Sequence, residues 1–228
     1  MAHRALPSSR TGLRLFLDTA DREAYARWLP TGLFHGVTTN PTILERSGLR
    51  SDLSVLAGLV ETVLRYPVQE VQAQAWGTET RALVETGRAL AAIDPRVVVK
   101  VPVTENGMRA VCEMHAFGIR TTVTAVYASH QALTAAAAGA DYVAPYFGRI
   151  NDAGRDGVAV MREMRAILAT AGDGTRLLVA SLRSADDAAR LAAAGCDTFT
   201  FGTAVAEGLF ADPDTTAAAR AFEEAAAR

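Results

Sequence analysis

Short apolar runs recur along the chain, each followed by a longer stretch with helical periodicity. The runs are LRLFLD (13–18), HGVTT (35–39), VQEVQA (68–73), RVVVKV (96–101), IRTTVT (119–124), DYVAPY (141–146), RLLVAS (176–181) and DTFTF (197–201). Segments such as TADREAYARWL, GTETRALVETGRALAAI and TENGMRAVCEMHAFG lie between them. Alternation of this kind predicts parallel strands joined by helical crossovers. Eight such units in a chain of 228 residues fit a closed (β/α)8 TIM barrel, an α/β fold, better than an open doubly wound sheet. No Gly-x-Gly-x-x-Gly follows the first run, which also weighs against the open sheet. Gly118, Gly139 and Gly195 each close an apolar helical segment, as glycines just past a helix end do. The pattern predicts an N-terminal extension over 1–12, a single barrel domain over 13–212 and an additional C-terminal helix over 213–228.

Period-2 geometry assigns directions within the strands. In the third run Glu70 and Gln72 share one face, with Val71 and Ala73 on the other. In the fourth, Lys100 shares a face with Val98, while Val97, Val99 and Val101 share the opposite one. A barrel strand buries its outer face under helices, so the valine-rich side faces out and Lys100 faces in. A closed barrel has no edge strand to give that lysine to water. Two roles remain for it: a fixed cation holding an anion, or a free amine attacking a carbonyl. At an ordinary pKa of ~10.4 only about 0.04% of a lysine is free amine at pH 7. Desolvation worth ~3 units would raise that to roughly a quarter, and a nearby carboxylate would oppose it.

Composition narrows the function classes. Half of the residues are hydrophobic and the formal net charge is −2, so neither disorder nor a basic nucleic-acid footprint is expected. No apolar run approaches a membrane span, and the opening MAHRALPSSRTG lacks the apolar centre of a signal peptide. Cys112 and Cys196 stand far apart, and His3, His35, His115 and His130 show no ligand spacing. A cytoplasmic protein that engages neither nucleic acid nor membrane, with no metal site among its cysteines and histidines, is expected. Polar residues gather at the strand ends, where barrel enzymes place their chemistry: Asp18, Thr38 with Asn40, Glu70 with Gln72, Lys100, Thr124, Tyr146 with Arg149, and Ser181 with Arg183.

The motifs FLDTA, GVTTNPTIL, VVVKVPVTENG, TAVYASHQAL, GADYVAPYFGRI and LLVASLRS together resemble, in order, the transaldolase family, and most closely its short branch of fructose-6-phosphate aldolases and small transaldolases. The resemblance implies a metal-free class I aldolase chemistry on sugar phosphates and aldehydes. Lys100 is then the Schiff-base lysine, Asp18 the proton-transfer aspartate, and Thr38 and Asn40 the partners of the bound hydroxyketone. It implies further that Thr124 holds the catalytic water, that Ser181 binds substrate, and that Arg149 and Arg183 clamp phosphate. Tyr146 matches the tyrosine of the aldolases, as do Ala144 and TAVY. Glu70 is matched to a transaldolase glutamate where the aldolases have glutamine, and Arg183 is also transaldolase-like. Thr122 replaces a transaldolase asparagine, and TFTFGTAVAEGLF lacks the family's Pro-containing segment after the eighth strand. The implied reading is a fructose-6-phosphate-type aldolase. Its competitors are a transaldolase that passes the three-carbon unit to an aldehyde such as erythrose 4-phosphate, and a barrel that only binds sugar phosphates. A homo-oligomer, pentamer or decamer, is implied by resemblance, with the C-terminal helix packing on a neighbour.

Overall fold

The computed structural model describes residues 12–172 and 174–228. The expected 1–12 extension therefore lies, apart from Gly12, outside the described residues. Eight parallel strands close into a barrel in chain order. They are β1 (Arg14–Asp18), β2 (Phe34–Thr38), β3 (Glu70–Gln74), β4 (Val97–Pro102), β5 (Thr121–Val126), β6 (Tyr142–Pro145), β7 (Arg176–Val179) and β8 (Thr198–Phe201). The helices are α1 (Arg22–Trp28), α2 (Pro41–Arg46), α3 (Leu53–Val63), α4 (Thr80–Ala91), α5 (Glu105–Ala116) and α6 (Ser129–Ala137), followed by α7 (Phe147–Asp152), α8 (Gly157–Ala171), α9 (Ala185–Ala193), α10 (Thr203–Gly208) and α11 (Pro213–Ala226).

The alternation of side chains builds two cores. Val97, Val99 and Val101 of β4 belong to the large outer core, together with Leu83, Leu90 and Met114 of the covering helices. Each is at most 3% exposed, and burying a valine fully stabilises by roughly 1.5–3 kcal/mol. The inner core is small: Phe16, Val98, Tyr142, Ala144 and Leu178. Polar residues take many remaining inward positions. The Thr122 hydroxyl donates to Gln72 Oε1 at 2.8 Å, both groups fully buried. Such a polar interior divides the barrel into a mouth at the strand C-termini and a floor at the N-termini.

Capping matches the sequence pattern. Thr104 accepts from the Gly107 amide to start α5, and Ser184 from the Asp187 amide to start α9. Gly118 and Gly195 follow α5 and α9 at φ 70° and 90°, the left-handed conformation that glycine adopts without strain. The expected C-terminal helix is present as α11, and it buries none of its residues against its own barrel.

Candidate active site

The mouth holds a cavity of about 360 Å3, lined by Asp18, Asn40, Lys100, Thr124, Tyr146, Arg149 and Ser181 from the strand ends. This volume falls within the range of small-molecule sites. Lys100 is 4% exposed, and its ammonium makes no hydrogen bond or ion pair among the described residues. Burial pushes its ammonium below the ordinary lysine pKa, and the Asp18 carboxylate pulls it partly back. Among the described residues, the lysine is thus the one buried cation, and it carries no direct counter-charge.

Around it the hydroxyls form two fixed sets. On one side, the Thr38 hydroxyl lies 2.6 Å from Asp18 Oδ1 and 2.6 Å from the Thr200 hydroxyl. Thr38 is fully buried and does not line the cavity, so it orients Asp18 from below. Asp18 is free for the mouth because a different residue, Asp21, caps α1 through the Glu23 amide. Asn40 combines two tasks: its Oδ1 caps α2 through the Ile43 amide at 3.1 Å, and the residue also lines the cavity.

On the other side, the Thr124 and Tyr146 hydroxyls are 3.0 Å apart. Their placement has a backbone cause. The β5–β6 register shifts between Val123 and Val126, and Ala125 sits there at φ 58°. A bulge of this kind re-aims neighbouring side chains and is characteristic of sites at barrel rims. Ser181, at φ 61°, is the other non-glycine residue with positive φ among those described, and it also lines the mouth. Left-handed backbone at such residues costs of order 1–3 kcal/mol and persists where the surroundings hold it.

The two arginines differ. Arg149 lines the cavity, its guanidinium 4.7 Å above the Tyr146 ring and its Nη1 donating to the Tyr127 hydroxyl at 3.2 Å. Tyr127 and Tyr146 meet edge to face at 5.5 Å, which fixes that platform. Arg183 does not line the cavity; it lies against Gly148 and its Nη2 is paired with Asp152. Sequence alone pointed to neither Tyr127 as a support for Arg149 nor Arg46 of α2 as a further cavity-lining cation.

Glu70 requires a correction. It does face inward, but it is the first residue of β3 and lies at the barrel floor, away from Lys100. There it accepts from Arg120 Nη1 at 2.7 Å and from the Tyr142 hydroxyl at 2.8 Å. The side chain of β3 that reaches the mouth is Gln74, which pairs in register with Lys100 and lines the same cavity. The strand runs over 70–74 and not over 68–73, so its inward series Glu70, Gln72, Gln74 ends on glutamine. The continued alternation in VQEVQAQ carried that signal.

Residues 15–228 match the model of the family described as Transaldolase/Fructose-6-phosphate aldolase. A probable transaldolase of Caulobacter sp. (strain K31) is 40% identical over 203 residues, 89% of this chain and 91% of that protein. A probable transaldolase of Phenylobacterium zucineum (strain HLK1) is likewise 40% identical, over 206 residues, with the same coverage. Among solved structures, one described as a native KDPGal structure superposes with a TM-score of 0.60 at 14% identity, covering 86% of this chain and 84% of that one; this is a likeness of fold alone. The chain belongs to the transaldolase/fructose-6-phosphate aldolase family.

Proposed function

We propose that the protein is a class I aldolase that cleaves and forms the C3–C4 bond of ketose phosphates through a Schiff base on Lys100. The observation that carries the reading is a buried lysine without a direct counter-ion, its pKa lowered by burial, at the centre of a polar mouth. Such an amine is a nucleophile near neutral pH.

In the proposed cycle Lys100 Nζ adds to the C2 carbonyl of the ketose, and loss of water leaves an iminium. Asp18, held by Thr38, takes the proton of the C4 hydroxyl as the C3–C4 bond breaks. The bond's electron pair passes into the iminium, giving an enamine, and the aldehyde phosphate departs from the Arg149 side. A guanidinium pinned by Tyr127 and Tyr146 suits a phosphate. Protonation of the enamine at C3 and addition of water to C2 then release dihydroxyacetone and free the amine. Asn40 and Ser181 are assigned to the substrate's hydroxyls.

Aldolase is preferred to transfer because of what surrounds the enamine. The Thr124–Tyr146 hydroxyl pair and Gln74 offer neutral donors and acceptors for one water molecule beside Lys100. Tyrosine at 146 is what the resemblance attributes to the aldolases. Transfer of the three-carbon unit to an acceptor aldehyde is the competing outcome, favoured by the names of the curated relatives. Incubation with fructose 6-phosphate, with and without erythrose 4-phosphate, separates them. Free dihydroxyacetone formed without acceptor supports the aldolase; strict dependence on acceptor gives transferase. Borohydride reduction must fix the substrate carbon on the Lys100 peptide in either case, and its failure overturns both.

α11 is assigned to a neighbouring copy of the chain. A 14-residue helix is marginal by itself in water, and Phe222 on it is 71% exposed.

A further inference from the structure

At the barrel floor, opposite the mouth, lies a second cavity of about 390 Å3, lined among others by Arg14, Glu70, His115, Arg120, Tyr142 and Arg176. We propose that it is a binding site for a phosphate dianion, free or as a monoester, gripped by Arg14 and Arg120 with His115 at the rim.

The case begins with a cluster of guanidinium groups gathered around one buried carboxylate. Glu70 is buried, and Arg120 Nη1 at 2.7 Å with the Tyr142 hydroxyl at 2.8 Å already satisfies it. Arg14 adds a second guanidinium, its Nη1 bonded to the Tyr142 hydroxyl and 3.7 Å from Glu70 Oε1. His35 adds an imidazole 3.6 Å from the same oxygen. One carboxylate does not need this many partners. Of the nearby carboxylates, Asp197 is taken up by Arg176 at 3.0 Å, while Asp141, which also lines the cavity, accepts from the Thr121 amide at 2.8 Å and offsets part of the Arg120 charge.

The donors are also unspent. A guanidinium has five N–H groups in a planar fork. The side-chain contacts of Arg14 and Arg120 use Nη1 alone, and their other nitrogens have no partner among the described residues. Both groups are partly exposed on the cavity, with side-chain exposures of 31% and 37%. They are held in place from within, Arg14 by the Tyr142 ring 5.9 Å below it and Arg120 by Glu70. Two anchored forks with free edges on one cavity suit the oxygens of a tetrahedral dianion, which accepts several such bonds. Glu70 has a double effect in this arrangement: it orients the forks, and its own charge tempers their attraction for a second anion.

The test is calorimetric titration of the full chain carrying Arg149→Gln, which silences the phosphate clamp proposed at the mouth. Inorganic phosphate is the probe in one arm and glycerol 3-phosphate in the other; the tighter of the two identifies the source. Saturable binding is expected to persist in that background. Adding Glu70→Gln is expected to tighten it about tenfold, since a competing charge is removed at short range. Adding Arg120→Gln as well, which leaves no unpaired buried carboxylate, is expected to weaken it at least tenfold relative to Glu70→Gln. Binding of neither probe, or binding indifferent to the floor substitutions, overturns the proposal. A phosphate-soaked crystal of the unsubstituted chain answers without any substitution: density bounded by Arg14 and Arg120 supports the site, and its absence overturns it.

Discussion

The two ends of the barrel each hold one charged side chain that is 4% exposed, Lys100 at the mouth and Glu70 at the floor. Both have lowered pKa values, and the causes are opposite. Burial dominates at Lys100 and drives it toward its neutral form. Burial acts on Glu70 too and would raise it, but the His35 imidazole, the Arg120 guanidinium and the Tyr142 hydroxyl outweigh that effect and hold it at about 2, firmly charged. The same cost of burying a charge is thus met in two ways. At the floor, partners compensate the charge and the group becomes inert. At the mouth, partners are withheld and the group becomes reactive.

Substitution tests that contrast most strongly at Lys100. Lys100→Ala is expected to reduce turnover by at least ~10³-fold, abolish borohydride trapping and leave the melting temperature close to the parent's; the nucleophile has no substitute in the mouth. The contrasting change at the floor, Glu70→Ala, leaves the Arg14 and Arg120 charges without their carboxylate. Urea denaturation is expected to show a loss of about 3–5 kcal/mol, with Lys100 still trappable in whatever protein folds.

pH sharpens the same comparison. Glu70 has a folded pKa depressed to about 2, so its contribution is fully present above the unfolded value of ~4.3 and disappears as pH falls toward 2. That contribution is roughly 3 kcal/mol by linkage, and Glu70→Gln is expected to flatten the acid limb of the stability curve by that amount. Lys100 has the opposite consequence for chemistry. Its folded pKa is below the ordinary value, so the amine fraction and the rate of Schiff-base formation should rise with pH and level off well before ~10.4. A stopped-flow profile that keeps climbing to pH 10 would mean that the lysine is not desolvated in solution.

The smallest expected effect concerns the enamine's fate. Tyr146→Phe removes one hydroxyl of the Thr124 pair and is expected to slow release of free dihydroxyacetone by ~10- to 100-fold, with transfer to an added aldehyde less affected. Equal loss of both activities would place Tyr146 in binding and not in water handling.

The sequence made the barrel legible because a valine run punctuated by one lysine fits only a strand with a helix-covered outer face. It made Lys100 legible for the same reason. Glu70 went astray through a boundary: moving the start of β3 from 68 to 70 preserves every inward direction and changes only the height along the barrel axis. Period-2 reasoning gives direction and is blind to height, which depends on the register with β2 and β4. The engagement of Arg183 by Asp152 was equally out of reach. These residues belong to different βα units, and nothing local in either segment announces their meeting. Thr38 was legible as part of the site, and its burial under Asp18 was not.

The floor cluster also bears on how the barrel closes. Its members come from β1, β2, β3 and β6 and from Arg120, just ahead of β5, so no single βα unit and no half barrel contains them all. A partly assembled barrel that buries Glu70 before β6 and Arg120 arrive would hold a carboxylate without its two closest hydrogen-bond donors. Such species are penalised relative to both the open chain and the closed ring. One carboxylate near the middle of β1–β6 therefore makes closure cooperative, and half-built barrels should be sparsely populated on the way to the native state.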